Sequence, residues 1–351
     1  MRRLVILAEG RLGVHSAKTA VGVLRFGVDP TVAIIDSTRA GEDAASALGL
    51  ADVGVDVPVV ATIEEALAFD PTALLIGIAP IGGRLPDEWR PTLLRAIAAG
   101  LEIISGLHVF LNDDPQLSAA AREHGVRLWD VRRPPDEVAM RIGAGQRHRP
   151  GSRVVYLGGS DCNSGKMTVA LTLDRAARKW GWNSAFAATG QTGIMIAGAG
   201  VPADRFVADF LPGGVEQLVL DLTERHDWVF VEGQGSLGHP AYSAVTLGLI
   251  HGAQPDLMIL CHEAGRDAIS GYPDYPLPSL AALVQMYETA AGWIKPARVA
   301  GIALNTFQLP EDEARAAIAA AAVETGLPTT DPIRFGAEVL LDALVEAAAD
   351  Q

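Results

Sequence analysis

Cysteine is scarce in this chain of 351 residues: Cys162 and Cys261 are the only two. Two thiols make neither a disulfide framework nor a cysteine-built zinc cluster, and they fit a reducing compartment. The cytoplasm is therefore the expected location. Cationic charge is also short, with 28 Lys and Arg against 42 Asp and Glu and a formal net charge of −14. An anionic excess repels nucleic-acid backbones and anionic membrane surfaces, so neither is expected as a partner, and any affinity for phosphate has to be local. Long apolar runs are missing. The run behind Arg2 and Arg3 is only Leu4 to Ala8, too short for a signal peptide, and none elsewhere reaches membrane-spanning length. Charged residues make up 20% and hydrophobic residues 49%, which excludes disorder. The length suffices for two cores. Nothing in the composition fixes the oligomeric state, so a homo-oligomer stays open.

Strand-like and helix-like runs alternate throughout, the pattern of α/β proteins with parallel sheets covered by helices. The expected fold is two doubly wound domains, Rossmann-like over 1–135 and P-loop NTPase-like over 153–351. A linker is expected at 136–152, where Gln146-Arg147-His148-Arg149-Pro150-Gly151 is basic and breaks regular structure. In the first part, Leu4–Leu7, Thr31–Ile35, Ala73–Ile78 and Glu102–Ser105 read as strands, and Ser16–Phe26 and Pro91–Gly100 as helices. Gly10, Gly13, Asp36 and the Gly82-Gly83 pair resemble parts of a dinucleotide site. However, Gly10-Arg11-Leu12-Gly13 is not the G-x-G-x-x-G fingerprint, which argues against tight nicotinamide binding. The stretch Ala8 to His15 can still line a pocket between the domains.

The strongest signal is Arg153-Val154-Val155-Tyr156-Leu157-Gly158-Gly159-Ser160-Asp161-Cys162-Asn163-Ser164-Gly165-Lys166-Met167-Thr168. A buried strand, a glycine-bearing loop, a Gly-Lys pair and an amphipathic helix form the layout that cradles phosphates with backbone N–H groups and a lysine. Ser160 to Thr168 are therefore the expected cofactor-binding residues. Two departures stand out: Ser160 occupies the place of the first glycine, and Met167 that of the Mg²⁺-binding hydroxyl, with Thr168 one residue late. Both weigh against metal-assisted phosphoryl transfer more than against phosphate binding. Cys162 sits in the loop near a helix start and a lysine, where a thiol can become nucleophilic.

Further candidates follow predicted strands, at one mouth of the sheet. Trp228 to Val231 leads into Glu232-Gly233-Gln234-Gly235-Ser236, where the acid can hold Mg²⁺ or act as a general base. His239 and Tyr242 lie in the same loop. Thr189-Gly190-Gln191-Thr192-Gly193 would present amides, hydroxyls and the Gln191 amide. Arg205 and Arg266 can clamp a carboxylate, His262 can be a base or donor, and Asn305 can read a base edge.

Taken together, Gly159 to Thr168, Thr189 to Gly193 and Val231 to Ser236 resemble a bacterial and archaeal family that joins a Rossmann-like to a P-loop domain. It was long catalogued as a domain of unknown function, and the resemblance spans essentially the whole chain. Some members are described as D-glutamate N-acetyltransferases using acetyl-CoA. The C-terminal part also resembles dethiobiotin synthetase, from which Met167 departs. The resemblance implies acetyl transfer from acetyl-CoA to an acidic amino acid. Glu232 or His239 would be the base, Lys166 and the loop amides would anchor the cofactor, and Arg205 or Arg266 would hold the substrate. The alternatives are an ATP- and Mg-dependent kinase or ligase, with Glu232 as metal ligand, and a nucleotide sensor.

Overall fold

The computed structural model describes residues 1–14, 16–78, 83–136 and 140–349. His15 and Gly82, both named above, lie outside that set. The chain divides into two compact units, one of residues 1–133 with 191–199, the other of residues 134–190 with 200–351.

The first unit holds β1 (Leu4–Leu7), α1 (Lys18–Phe26), β2 (Thr31–Ile35), α2 (Ala44–Leu48), β3 (Val59–Val60), α3 (Ile63–Leu67), β4 (Ala73–Ile76), α4 (Arg90–Ala98), β5 (Glu102–Ser105), α5 (Pro115–His124) and β6 (Leu128–Asp130). Its six strands run parallel in the order β3-β2-β1-β4-β5-β6, the doubly wound arrangement of Rossmann-like folds. β1 and β4 are wholly buried and wholly apolar, as central parallel strands covered on both faces must be. Helix α1 starts two residues later than the sequence suggests, because the Ser16 hydroxyl donates to Arg11 O at 2.7 Å instead of entering the helix. Asp36 at the end of β2 is fully buried: its carboxylate accepts from Leu12 N, Thr38 N and Thr38 Oγ1. It therefore serves its own loops rather than pointing outward as a ribose acceptor.

The second unit holds β7 (Arg153–Gly159), α6 (Lys166–Lys179), β8 (Ser184–Ala187), α8 (Leu211–Thr223), β9 (Trp228–Glu232), α9 (Ser243–Ala253), β10 (Leu257–Glu263), the hairpin β11 (Ala268–Ile269) and β12 (Tyr272–Pro276), α10 (Leu280–Gly292), β13 (Arg298–Asn305), α11 (Glu311–Thr325), β14 (Thr329–Thr330) and α12 (Glu338–Ala349). Helix α7 (Gln191–Ala197) falls between β8 and α8 in sequence but groups with the first unit, where Thr192 Oγ1 meets Thr19 Oγ1 at 3.0 Å. The main sheet is parallel, ordered β14-β13-β10-β7-β9-β8. β7 is central, and the chain reverses its direction of winding beside it. In open α/β sheets, ligands bind beyond the carboxyl ends of the strands at such a switch point. Residues 144–152 lie on this unit: Ala144 N and Gln146 N donate to Glu216, and His148, Lys295 and Asp256 form an ionic cluster.

Candidate functional site

Because all six strands of the second unit's sheet are parallel, the loops after β7, β8, β9, β10 and β13 leave from one edge. That edge carries the P-loop, Thr189-Gly190, Glu232 to His239, His262 to Arg266 and Asn305. The turn Thr189 to Gly193 is shorter than the sequence suggests. Its amides at Thr189 and Gly190 face Glu232, but at Gln191 the chain enters α7 and the first unit, so Gln191 belongs to that helix.

The P-loop is held in shape from several sides. Ser160 N donates to Cys261 O, Ser160 O accepts from Ser236 Oγ at 2.8 Å, and Ser160 Oγ meets His262 Nδ1 at 2.8 Å. This explains a serine in the place of the first glycine: its hydroxyl is turned toward β10. The close approach is made one residue earlier. A Cβ on Gly159 would stand 2.5 Å from Ser164 Oγ and 2.8 Å from Lys166 Nζ, so the lysine can lie across the loop only because Gly159 has no side chain. Tyr287 of α10 fixes that glycine, donating to Gly159 O at 2.8 Å and accepting from Gly159 N at 3.1 Å. Burial pushes the Tyr287 hydroxyl up to about 12, so it remains a donor. Asn163 (φ 58°) and Gly165 (φ 98°) take left-handed backbone, which turns the loop into α6.

Lys166 opens α6, is buried, and donates to Asp161 O at 2.7 Å. Burial lowers its pKa, opposed above all by Cys162. Asp161 is fully buried. It accepts from Cys162 N through Oδ1, and through Oδ2 from Ser270 N and Arg266 Nη1, each at 2.8 Å. Arg266 also donates to Cys162 O at 2.7 Å and pairs with Glu263. The guanidinium that the sequence offers for a substrate carboxylate is thus spent on the loop. His262 is held low by burial and by Arg266, so its ring is neutral near pH 7.

Glu232 is buried at the tip of β9. Its Oε2 accepts from Thr189 N at 2.9 Å and Gly190 N at 3.1 Å, while Thr189 Oγ1 donates to Glu232 O. Burial raises its pKa despite these donors. His239 is also buried. Ala241 N donates to its Nδ1 at 3.1 Å, so the neutral ring carries its proton on Nε2, which lies 3.9 Å from Asp161 Oδ1. Its ring packs against Tyr242 at 4.6 Å and Tyr272 at 5.3 Å. In this tautomer His239 offers an N–H, not a lone pair, to the loop.

The other candidates are placed as follows. Tyr242 is half exposed beside His239. Arg205 follows the segment in which Ala203 N donates to Thr189 O. Asn305 accepts from Phe307 N through its own side chain, a local turn bond. Met167 and Thr168 are the second and third residues of α6. Sequence reasoning quotes Gly159 and Ser236 within their motifs but gives neither a role, and it misses Ser270 and Tyr287. Apolar periodicity marks Tyr287 as buried but cannot show what its hydroxyl meets.

Comparison with known proteins agrees with this geometry. Residues 141–341 match the family described as "Domain of unknown function (DUF1611_C) P-loop domain", and residues 37–134 match its Rossmann-like partner, DUF1611_N. A protein of Tritonibacter scottomollicae named D-glutamate N-acetyltransferase is 41% identical over 330 residues, 94% of each chain. A Pseudoalteromonas protein of the same name is 36% identical over 281 residues, covering 80% of this chain and 83% of that one. A crystal structure of a DUF1611 family protein from Anabaena variabilis superposes with a TM-score of 0.91 at 41% identity, covering 99% of this chain and 100% of that one. The parallel sheets, the P-loop and these relatives together establish that the chain belongs to the DUF1611 family.

Proposed function

We propose that this chain moves an acetyl group from acetyl-CoA to the amine of D-glutamate, with the P-loop cradling the donor's phosphates. The observation that carries the reading is the 41% identity, over 94% of both chains, to a protein named D-glutamate N-acetyltransferase. The loop supports the cofactor. Phosphates need backbone donors and a cation at a helix N-terminus, and the amides of Asn163 to Gly165 with Lys166 at the start of α6 can supply both, those of Ser160 and Cys162 being bonded within the protein. The missing Cβ of Gly159 keeps space beside Lys166 Nζ. Bound acetyl-CoA would bring the acetyl group already activated as a thioester. Its phosphates ask only for charge and hydrogen bonds, which suits a loop with Met167 in place of the metal-binding hydroxyl.

In this reading Lys166 and the loop amides anchor the cofactor. Arg266 and Asp161 are positioning residues that hold the loop. Burial gives Glu232 a carboxylate more basic than usual, suited to take the proton of the substrate ammonium. His239 offers its Nε2–H to the oxygen on which charge develops. Arg205 and Tyr242 are the candidates for the substrate's carboxylates. An extended pantetheine arm reaches about 15 Å by backbone-like bond geometry. Glu232 and His239 therefore serve the reacting carbon only when that arm turns back across the loop.

The test follows thiol release from acetyl-CoA with D-glutamate, L-glutamate or no acceptor, with and without EDTA. Release that depends on D-glutamate and survives EDTA supports the proposal. Consumption of ATP with Mg²⁺ instead would favour the kinase or ligase alternative, with Glu232 as metal ligand. Nucleotide binding without turnover would favour a sensor.

A further inference from the structure

Helices α9 and α10 lie side by side in the second unit and are almost free of charge. In a chain with 20% charged residues, helices of 11 and 13 residues would carry about five, a fifth of 24. α9 has no Asp, Glu, Lys or Arg. α10 has only Glu288, which is turned inward: its Oε1 accepts from Val299 N at 2.9 Å. Burial does not account for the lack of charge. Ala244, Gln285 and Thr289 are exposed, and Trp293, which follows α10 as its cap, is 65% exposed.

Between the helices runs a groove of about 630 Å³, and none of its lining residues is charged. His251 near the end of α9 donates from Nε2 to Ala290 O at 3.0 Å, so the two helices bring their carboxyl ends together. The groove therefore has two unlike ends. One holds Leu237, Ser243, Ala244 and Ala282, and the other the Trp293 indole, which the His251 ring meets edge-on at 6.1 Å.

We propose that this face is the contact between two copies of the chain. A two-fold axis crosses the groove and lays the Trp293 end of each copy on the Ala244 end of the other. An exposed indole held in place and an end of small side chains, on one face, are self-complementary under a two-fold, as an isologous interface requires. The net charge of −14 would draw a different partner through its cations, but this face has no carboxylate turned out to receive them. Two copies meeting here bring no like charges together. At 1.5 Å per residue the helices are roughly 16 and 20 Å long and, packed about 8–10 Å apart, they present roughly 400 Å² per copy. With the two indoles the total comes near about 1,000 Å², the lower limit of specific interfaces. Association is therefore reversible, with a Kd on the order of 10 μM. Nothing in this inference rests on acetyl transfer.

The experiment is sedimentation velocity of the whole chain from about 1 to about 200 μM, with circular dichroism to show that each variant is folded. Wild type should pass from monomer to dimer across that range. Trp293→Ala, Trp293→Lys and Ala244→Glu should each weaken the dimer about tenfold or more. Mixing the last two should restore association, because the mixed dimer holds one lysine–glutamate pair and one native contact across the axis. A wild type that stays monomeric at the highest concentration would overturn the proposal. So would a dimer that Trp293→Ala leaves unchanged, or a mixture no tighter than its components. A monomer that binds the neutral dye Nile red at one site per chain, lost in Trp293→Ala, would assign the groove to a small apolar ligand instead.

Discussion

Removing the Arg266 guanidinium separates two roles that the sequence leaves open. Its side chain is 17% exposed and faces Asp161, which is fully buried. Arg266→Ala leaves that carboxylate buried with only the Cys162 and Ser270 amides as donors, and leaves Cys162 O without its partner. Breaking a buried ion pair from one side costs about 3–5 kcal/mol. At about 2–4 °C per kcal/mol for domains of 150–250 residues, the melting temperature should fall by roughly 6–20 °C. Asp161→Asn should cost less, because the amide keeps a carbonyl oxygen for one donor. The double variant should be less destabilised than the sum of the two, since the same contact is lost twice. The assay is thermal unfolding by circular dichroism, with KM for D-glutamate measured well below the transition. A melting temperature within about 2 °C of wild type, roughly one kcal/mol or less, together with a large rise in KM, would refute the structural assignment and return Arg266 to the substrate.

Four further outcomes follow. Lys166→Ala should weaken CoA binding by roughly 10- to 150-fold in calorimetry, the loss of a charge-assisted contact of about 1.5–3 kcal/mol; unchanged affinity in a folded variant would sink the cradle. Gly159→Ala should force the buried Ser164 hydroxyl and the Lys166 stem and ammonium aside, and weaken CoA binding about tenfold in calorimetry by displacing that ammonium. Glu232→Gln should lower kcat and flatten the acid limb of the pH–rate profile, since a base with a raised pKa gains activity as pH rises through it; an unchanged profile would assign Glu232 to loop support alone. Asp256, lowered from 3.8 to about 2 with His148, Lys295 and Val154 N as its partners, contributes about 2 kcal/mol that is present above about pH 4 and lost as pH falls toward 2. Acid unfolding of Asp256→Asn should lack that component.

The sequence alone determined the broad design. Short apolar runs rich in β-branched and aromatic residues and closed by glycine, such as Val154 to Leu157 and Val229 to Val231, read as strands buried on both faces, and their alternation with helical runs points to parallel sheets. The strand, Gly165-Lys166 and helix marked the P-loop because phosphate binding by backbone amides needs a fixed local spacing. What remained for the tertiary structure were contacts between residues far apart in the chain. Arg266 lies 105 residues from Asp161, and Glu232 lies 43 from the Thr189 amide. A side chain's identity tells what it can bond, not whether a neighbour has already claimed it. Gly159 could be singled out only once Lys166 was seen lying over it, and the His239 tautomer only once Ala241 N was seen facing its Nδ1. Helix α7 joins the first unit because Thr192 meets Thr19, a pairing 173 residues apart that no local pattern encodes.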